Sequence, residues 1–214
     1  MVMSDFKYIL MCGGEYKDRW ETPKQLNKIG DETIVERTIR QLQENGVTDI
    51  AISSNNPIFE QFGVPVLHHE NNYGNGGLWM EGFYPMETPV CYIFGDVVFS
   101  PEAIKTIVEN ETDDVEYFAS APPFSPKYVK AWAEPFAFKV KNTEHFNAAI
   151  AKTIELKDCF GRSPIAWEFW QVIKDTPLDH IDYTNYVVIN DYTCDVDRTI
   201  DADLISKQIF GIDN

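Results

Sequence analysis

Positive charge is scarce in this sequence: 18 Lys and Arg stand against 34 Asp and Glu, a net charge of −16. A chain this acidic offers no basic face for nonspecific attachment, so neither nucleic acid nor an anionic membrane surface is expected as a partner. Cysteine is sparse too. Cys12, Cys91, Cys159 and Cys194 include no C-x-x-C pair, which excludes the familiar zinc and thioredoxin spacings. Cys12 and Cys91 fall inside apolar runs, where a reduced thiol behaves as a small hydrophobe. No stretch approaches the roughly 18 apolar residues that span a bilayer. The start MVMSDFKYILMCGG lacks the basic residues, long apolar stretch and small-residue cleavage site of a signal peptide. A soluble, cytoplasmic protein is therefore expected. With 44% apolar and 14% aromatic residues the chain can bury a substantial core, and its 214 residues suit a single domain over 1–214.

What is present alternates. Short apolar runs predict strands over residues 7–12, 49–53, 64–68, 90–94, 116–121, 135–140 and 186–189. Helical patterns lie over 33–45, 101–110, 143–157, 164–174 and 199–210. In the first of these, Ile34, Thr38, Ile39 and Leu42 mark an inward face, and Asn45-Gly46 supplies the stop. Runs such as YILMC, VCYIF and YVVI are apolar on both faces, as strands covered by helices on each side must be. The alternation argues for an α/β domain with a mostly parallel central sheet. Trp167, Phe169 and Trp170, at helical spacing, read as core or interface.

The first strand runs into Gly13-Gly14 and a charged loop, YILMCGGEYKDRWETPKQL. Four of the 18 basic residues, Lys17, Arg19, Lys24 and Lys28, fall together here. Glycine lets the backbone come close to a ligand, so N–H groups after Met11 and Cys12 can point at phosphate oxygens. A tight turn with solvated charges around it is the plainer alternative. Further on, Gly95-Asp96 closes the run VCYIF. Open α/β sheets bind ligands at the carboxyl ends of such strands, and a carboxylate there suits Mg²⁺; the alternative is a cap on the helix at Pro101. Asp195, Asp197 and Asp201 follow a third strand, and of these acids one is expected to hold a metal while the others cap the last helix. A glycine-rich stretch, Asn72-Tyr-Gly-Asn75-Gly76-Gly77, either admits a base or sugar or is only a surface loop.

Taken in order, these elements resemble the nucleotidyltransferase superfamily with the glycosyltransferase-A type Rossmann-like fold, over essentially the whole chain. The track is LMCGGEYKDR, Pro23-Lys24-Gln25-Leu26, TIVERTIRQLQENG, VTDIAISSN, Gly95-Asp96 and Asp195-Val196-Asp197. The resemblance implies a three-layer fold and the compact branch that handles small phosphorylated sugars or alcohols. It implies transfer of NMP from an NTP, CTP or UTP favoured, with release of pyrophosphate. Lys24, with Lys17 and Arg19, would act on the phosphates. Met11, Cys12, Gly13 and Gly14 would line the triphosphate, and Asn75, Gly76 and Gly77 would approach base or ribose. Asp96 and Asp197, with Asp195, would hold Mg²⁺ or Mn²⁺. A homodimer stays open.

The chain departs from the pattern at three points. Glu15 or Tyr16 stands where a second motif glycine belongs, the last motif reads DVDRTIDADL, and a Glu-Lys-Pro signature is reduced to Glu134-Pro135. The altered loop motivates a catalytically impaired nucleotide-binding protein as one alternative. A nucleotide-sugar-dependent glycosyltransferase is the other, against which Pro23-Lys24 argues. A dinucleotide-dependent oxidoreductase is disfavoured, since GGEYKD is no G-x-G-x-x-G.

Overall fold

The apolar runs become strands of one sheet in the computed structural model, which describes residues 5–13, 22–68, 79–122, 133–160, 163–197 and 199–211. The strands are β1 (Lys7–Met11), β2 (Ile50–Ser53), β3 (Val66–Leu67), β4 (Val90–Phe94), β5 (Val115–Ser120), β6 (Pro135–Val140) and β7 (Val187–Ile189). They lie in the order β7-β5-β6-β4-β1-β2-β3. All neighbours pair in parallel except at β6, which runs antiparallel to both β4 and β5.

Side-chain alternation along the strands divides the interior in two. From β1, Tyr8 and Leu10 join α1 (Ile34–Glu44) and α2 (Pro101–Glu109) through Val35, Ile39, Leu42, Ile104 and Ile107. Ile9 points the other way, into an aromatic layer with α3 (Thr143–Glu155) and α4 (Ala166–Ile173). Trp167, Phe169 and Trp170 of α4 are buried there, as core. The result is helices on both faces of a mostly parallel sheet. Ile34 does not share the face of Ile39 and Leu42. It packs instead in a third cluster with Val98, Cys194, Val196 and α5 (Thr199–Phe210).

Helix starts follow their caps. Thr33 and Glu36 form a reciprocal capping box on α1, with Thr33 N donating to Glu36 Oε2 at 2.7 Å. Ser100 caps α2, accepting from Ala103 N at 2.8 Å. α4 begins at Ala166, two residues later than the helical pattern suggests, because Ile165 is still extended and the Pro164 carbonyl accepts the Trp79 indole N–H.

The far end of α2 is closed by a buried cation. Lys139 of β6 is 2% exposed, and its ammonium donates to the Ile107, Val108 and Asn110 carbonyls at 2.9, 2.9 and 2.6 Å. These are carbonyls that a helix end leaves without intrahelical donors. Burial pushes the Lys139 pKa down. Replacing it by Met leaves the carbonyls dry and undonated, so Lys139→Met should cost about 3 kcal/mol. Calorimetry should register a fall in Tm of several degrees; an unchanged Tm would show that the carbonyls find other donors.

Candidate active site

Two strand ends define the site. β1 lies between β2, reached through α1, and β4 on its other side. Connections therefore leave β1 and β4 in opposite directions, which opens a crevice outside their carboxyl ends. Met11 pairs with Phe94, so Gly13 and Asp96 come off the sheet side by side.

Gly95 makes the close approach possible. A Cβ there would lie 2.6 Å from the Met11 carbonyl oxygen and 2.7 Å from Cys12 Sγ, closer than real Cβ contacts come. Without a side chain, Gly95 N donates to the Met11 carbonyl at 3.2 Å and carries the pairing one residue past the strands. On the other flank Cys12 N donates to the Ser53 carbonyl at 2.9 Å, and Ser54 Oγ donates to the Cys12 carbonyl at 3.0 Å. Cys12 is buried beneath the site, and burial with the nearby Asp96 charge pushes its thiol pKa well up. It is a protonated packing group, not a nucleophile.

The acids arrive from a distant segment. Residues Cys194–Asp195 pair antiparallel with Val97–Val98, directly after the Asp96 turn. Val196 N then donates to the Asp96 carbonyl at 2.9 Å. Asp96, Asp195 and Asp197 are thereby stitched together across about one hundred residues of sequence.

Lys24 lies at the centre. It opens a single 3-10 turn after Pro23, is 9% exposed, and its ammonium bridges the carboxylates of Asp96 and Asp197, the latter at 3.5 Å. A cavity of about 300 Å³ lies beside it, lined by Met11, Gly13, Lys24, Asp96, Asp195 and Glu134 among others. Among the described residues, four carboxylates therefore face this region against one ammonium.

Of the residues singled out in the sequence, Met11, Gly13, Lys24, Asp96 and Asp195 line the cavity. Asp197 reaches it through Lys24, and Cys12 packs below. Gly14, Lys17, Arg19, Asn75, Gly76 and Gly77 lie outside the described residues.

Residues two apart in extended chain share a face, so Asp195 and Asp197 both reach the site. Ser100, not Asp96, caps α2, and at the start of α5 Asp201 accepts from Asp197 N at 3.1 Å.

Gln25 and Glu134 also line the cavity without having been assigned a part from sequence. Glu134 immediately precedes the antiparallel strand β6, whose Ala137 pairs with Ile93. Its position at the carboxyl end of β4 follows only once that direction is known.

The fold recurs in solved structures. A Bacillus anthracis protein assigned as a glucose-1-phosphate thymidylyltransferase, solved with sucrose, superposes with a TM-score of 0.62 at 14% identity, covering 98% of this chain and 97% of its own. The inositol-1-phosphate CTP transferase of T. maritima gives 0.59 at 14% identity, over 99% of this chain and 100% of that one. The CTP:phosphocholine cytidylyltransferase of Streptococcus pneumoniae gives 0.57 at 15%, over 96% and 99%. The chain has the nucleotidyltransferase fold. No protein-family model matches the sequence, and comparison with curated proteins finds no match. At such identities the fold is common property while side chains have diverged. Among the described residues no helix of this nucleotidyltransferase fold is long and apolar enough to cross a membrane.

Proposed function

We propose that the chain, as one domain over residues 1–214, transfers NMP from an NTP to a small phosphorylated sugar or alcohol. The observation that carries this is the Lys24 bridge: one ammonium and two carboxylates from segments remote in sequence converge beside a cavity at the carboxyl ends of β1 and β4. CTP or UTP is the favoured donor, and two of the similar structures bear names that include CTP.

A divalent cation fits the acids present. Lys24 stands in for it, since its ammonium draws Asp96 and Asp197 onto one positively charged point. No cluster of three or more His, Cys, Asp or Glu suited to a metal occurs among the described residues. Mg²⁺ nonetheless commonly binds through one or two carboxylates and completes its shell with water and substrate phosphates. Asp96 and Asp197 would hold it, with Asp195 beside them, and when bound the ion supplies the charge that lets a triphosphate approach an acidic wall.

The remaining work is positioning and electrostatics. An acceptor phosphate oxygen forms a bond to the α-phosphorus while the bond to the β-phosphate bridging oxygen breaks, and pyrophosphate leaves with those electrons. Lys24 turns from the carboxylates to the phosphate oxygens and steadies the charge that grows there. The backbone after Met11, fixed by its bonds to β2 and Gly95, guides the phosphates along the sheet edge.

The test is a pyrophosphate-release assay over CTP, UTP, GTP, ATP and dTTP, against a panel of phosphomonoesters with Mg²⁺. One donor and one acceptor class should release pyrophosphate, and EDTA should stop it. The preferred NTP with Mg²⁺ should also raise Tm, because a ligand that binds only the folded form stabilises it. A raised Tm with no release from any pair would favour a binding protein over an enzyme.

A further inference from the structure

A second cavity, of about 720 Å³, adjoins the first. The two share Trp79, Phe94 and Pro135 as lining, so a ligand with its phosphate near Lys24 has room to extend along this wall. The described residues around it include no Lys, Arg, His, Asp or Glu. Two aromatic pairs line it: Trp79 with Phe94, ring centroids 6.0 Å apart, and Trp167 with Tyr183, 4.7 Å apart. The indole N–H groups are already committed, Trp79 to the Pro164 carbonyl at 2.7 Å and Trp167 to the Ala133 carbonyl at 2.8 Å. Only Ser163 and Tyr183 among the lining residues carry a side-chain hydroxyl.

Such a wall suits a polyol badly, because each buried hydroxyl left without a partner weakens binding. It suits an apolar body, and one of positive charge best. Aromatic faces attract a weakly hydrated cation, and the adjoining cavity presents Asp96, Asp195 and Glu134. From this we infer that the acceptor is the phosphomonoester of an N-methylated amino alcohol, its ammonium held among Trp79, Phe94, Trp167 and Tyr183. The inference rests on the nucleotidyl-transfer reading for the phosphate end alone. The volume admits bodies larger than a trimethylammonium group, so it names a class of acceptor.

The test is calorimetric titration of the intact protein with three probes: phosphocholine, neohexyl phosphate as its uncharged carbon isostere, and glucose 1-phosphate. Phosphocholine should bind roughly 3- to 30-fold tighter than neohexyl phosphate, and glucose 1-phosphate should bind weakest. In Tyr183→Leu the gap between the charged and neutral isosteres should narrow, and in Tyr183→Phe it should persist. Equal binding of the isosteres, tighter binding of glucose 1-phosphate, or no binding of phosphocholine overturns the inference. Release of pyrophosphate with sugar phosphates only would overturn it while leaving the proposed reaction standing. Charge-selective, Tyr183-dependent binding without release from any NTP would uphold the cavity assignment and sink the reaction.

Discussion

Lys24→Ala is expected to reduce pyrophosphate release by roughly 100-fold or more, the usual loss when one well-placed electrostatic contact to a developing charge is removed. The side chain is nearly enclosed, and its ammonium has two carboxylate partners. A structural role is therefore the rival explanation, and two further measurements separate the roles. A purely structural Lys24 would leave Asp96 and Asp197 repelling one another, and the loss of activity would track a large fall in Tm. A phosphate-binding Lys24 leaves Tm within a few degrees. Mg²⁺ binding to the nucleotide-free variant supplies the second readout. In the wild type the ammonium competes with the ion for the same carboxylates, so its removal should tighten Mg²⁺ binding severalfold while turnover collapses. Turnover within threefold of wild type would reject the assignment outright. Lys24→Arg should recover little, because a broad planar fork does not replace a compact ammonium between two acids.

How much of this could be read beforehand depends on what kind of information each feature needs. The strands of 90–94 and 135–140 and the helix of 199–210 have the bounds expected, because apolar runs and caps are local signals. Strand direction is not local. PFAFKV would be equally apolar run either way, yet its antiparallel course brings Glu134 to the mouth of the site. Lys139 is likewise opaque in sequence: a lysine inside an apolar run suggests an edge, whereas here it is enclosed and closes the end of α2. Edge strand β3 is shorter than its apolar run because it pairs only with Ile52 and Ser53 of β2. Asp96 and the distant Asp195 and Asp197 were each legible as acids after strands. Their meeting depends on a two-residue pairing, Val97–Val98 with Cys194–Asp195, too short to leave a periodic signal. Trp167 shows a further limit: helical spacing marks it as core, and it is core, but it also lines the larger cavity.

Asp96→Asn should match Lys24→Ala in its effect on turnover, again roughly 100-fold or more, but for a different reason and with a different signature. The substitution keeps the shape of the side chain and the backbone carbonyl that accepts Val196 N–H, so the stitching of the two segments survives. Gly95 still sits against Met11 and Cys12. What is lost is one of the two negative charges gathered on the Lys24 ammonium. Mg²⁺ affinity should therefore fall in this variant, opposite in sign to its rise in Lys24→Ala, and raising Mg²⁺ should restore part of the activity. The same experiment ranks the two later acids. Asp197 contacts Lys24 while Asp195 lines the cavity at one remove, so Asp197→Asn should weaken Mg²⁺ binding more than Asp195→Asn. Asp195 is mostly buried between Cys194 and Val196, so its substitution should show more in Tm. If Asp96→Asn turns over normally at low Mg²⁺, the carboxylates serve only to hold Lys24 in place, and the metal-assisted transfer proposed for this cleft has no anchor.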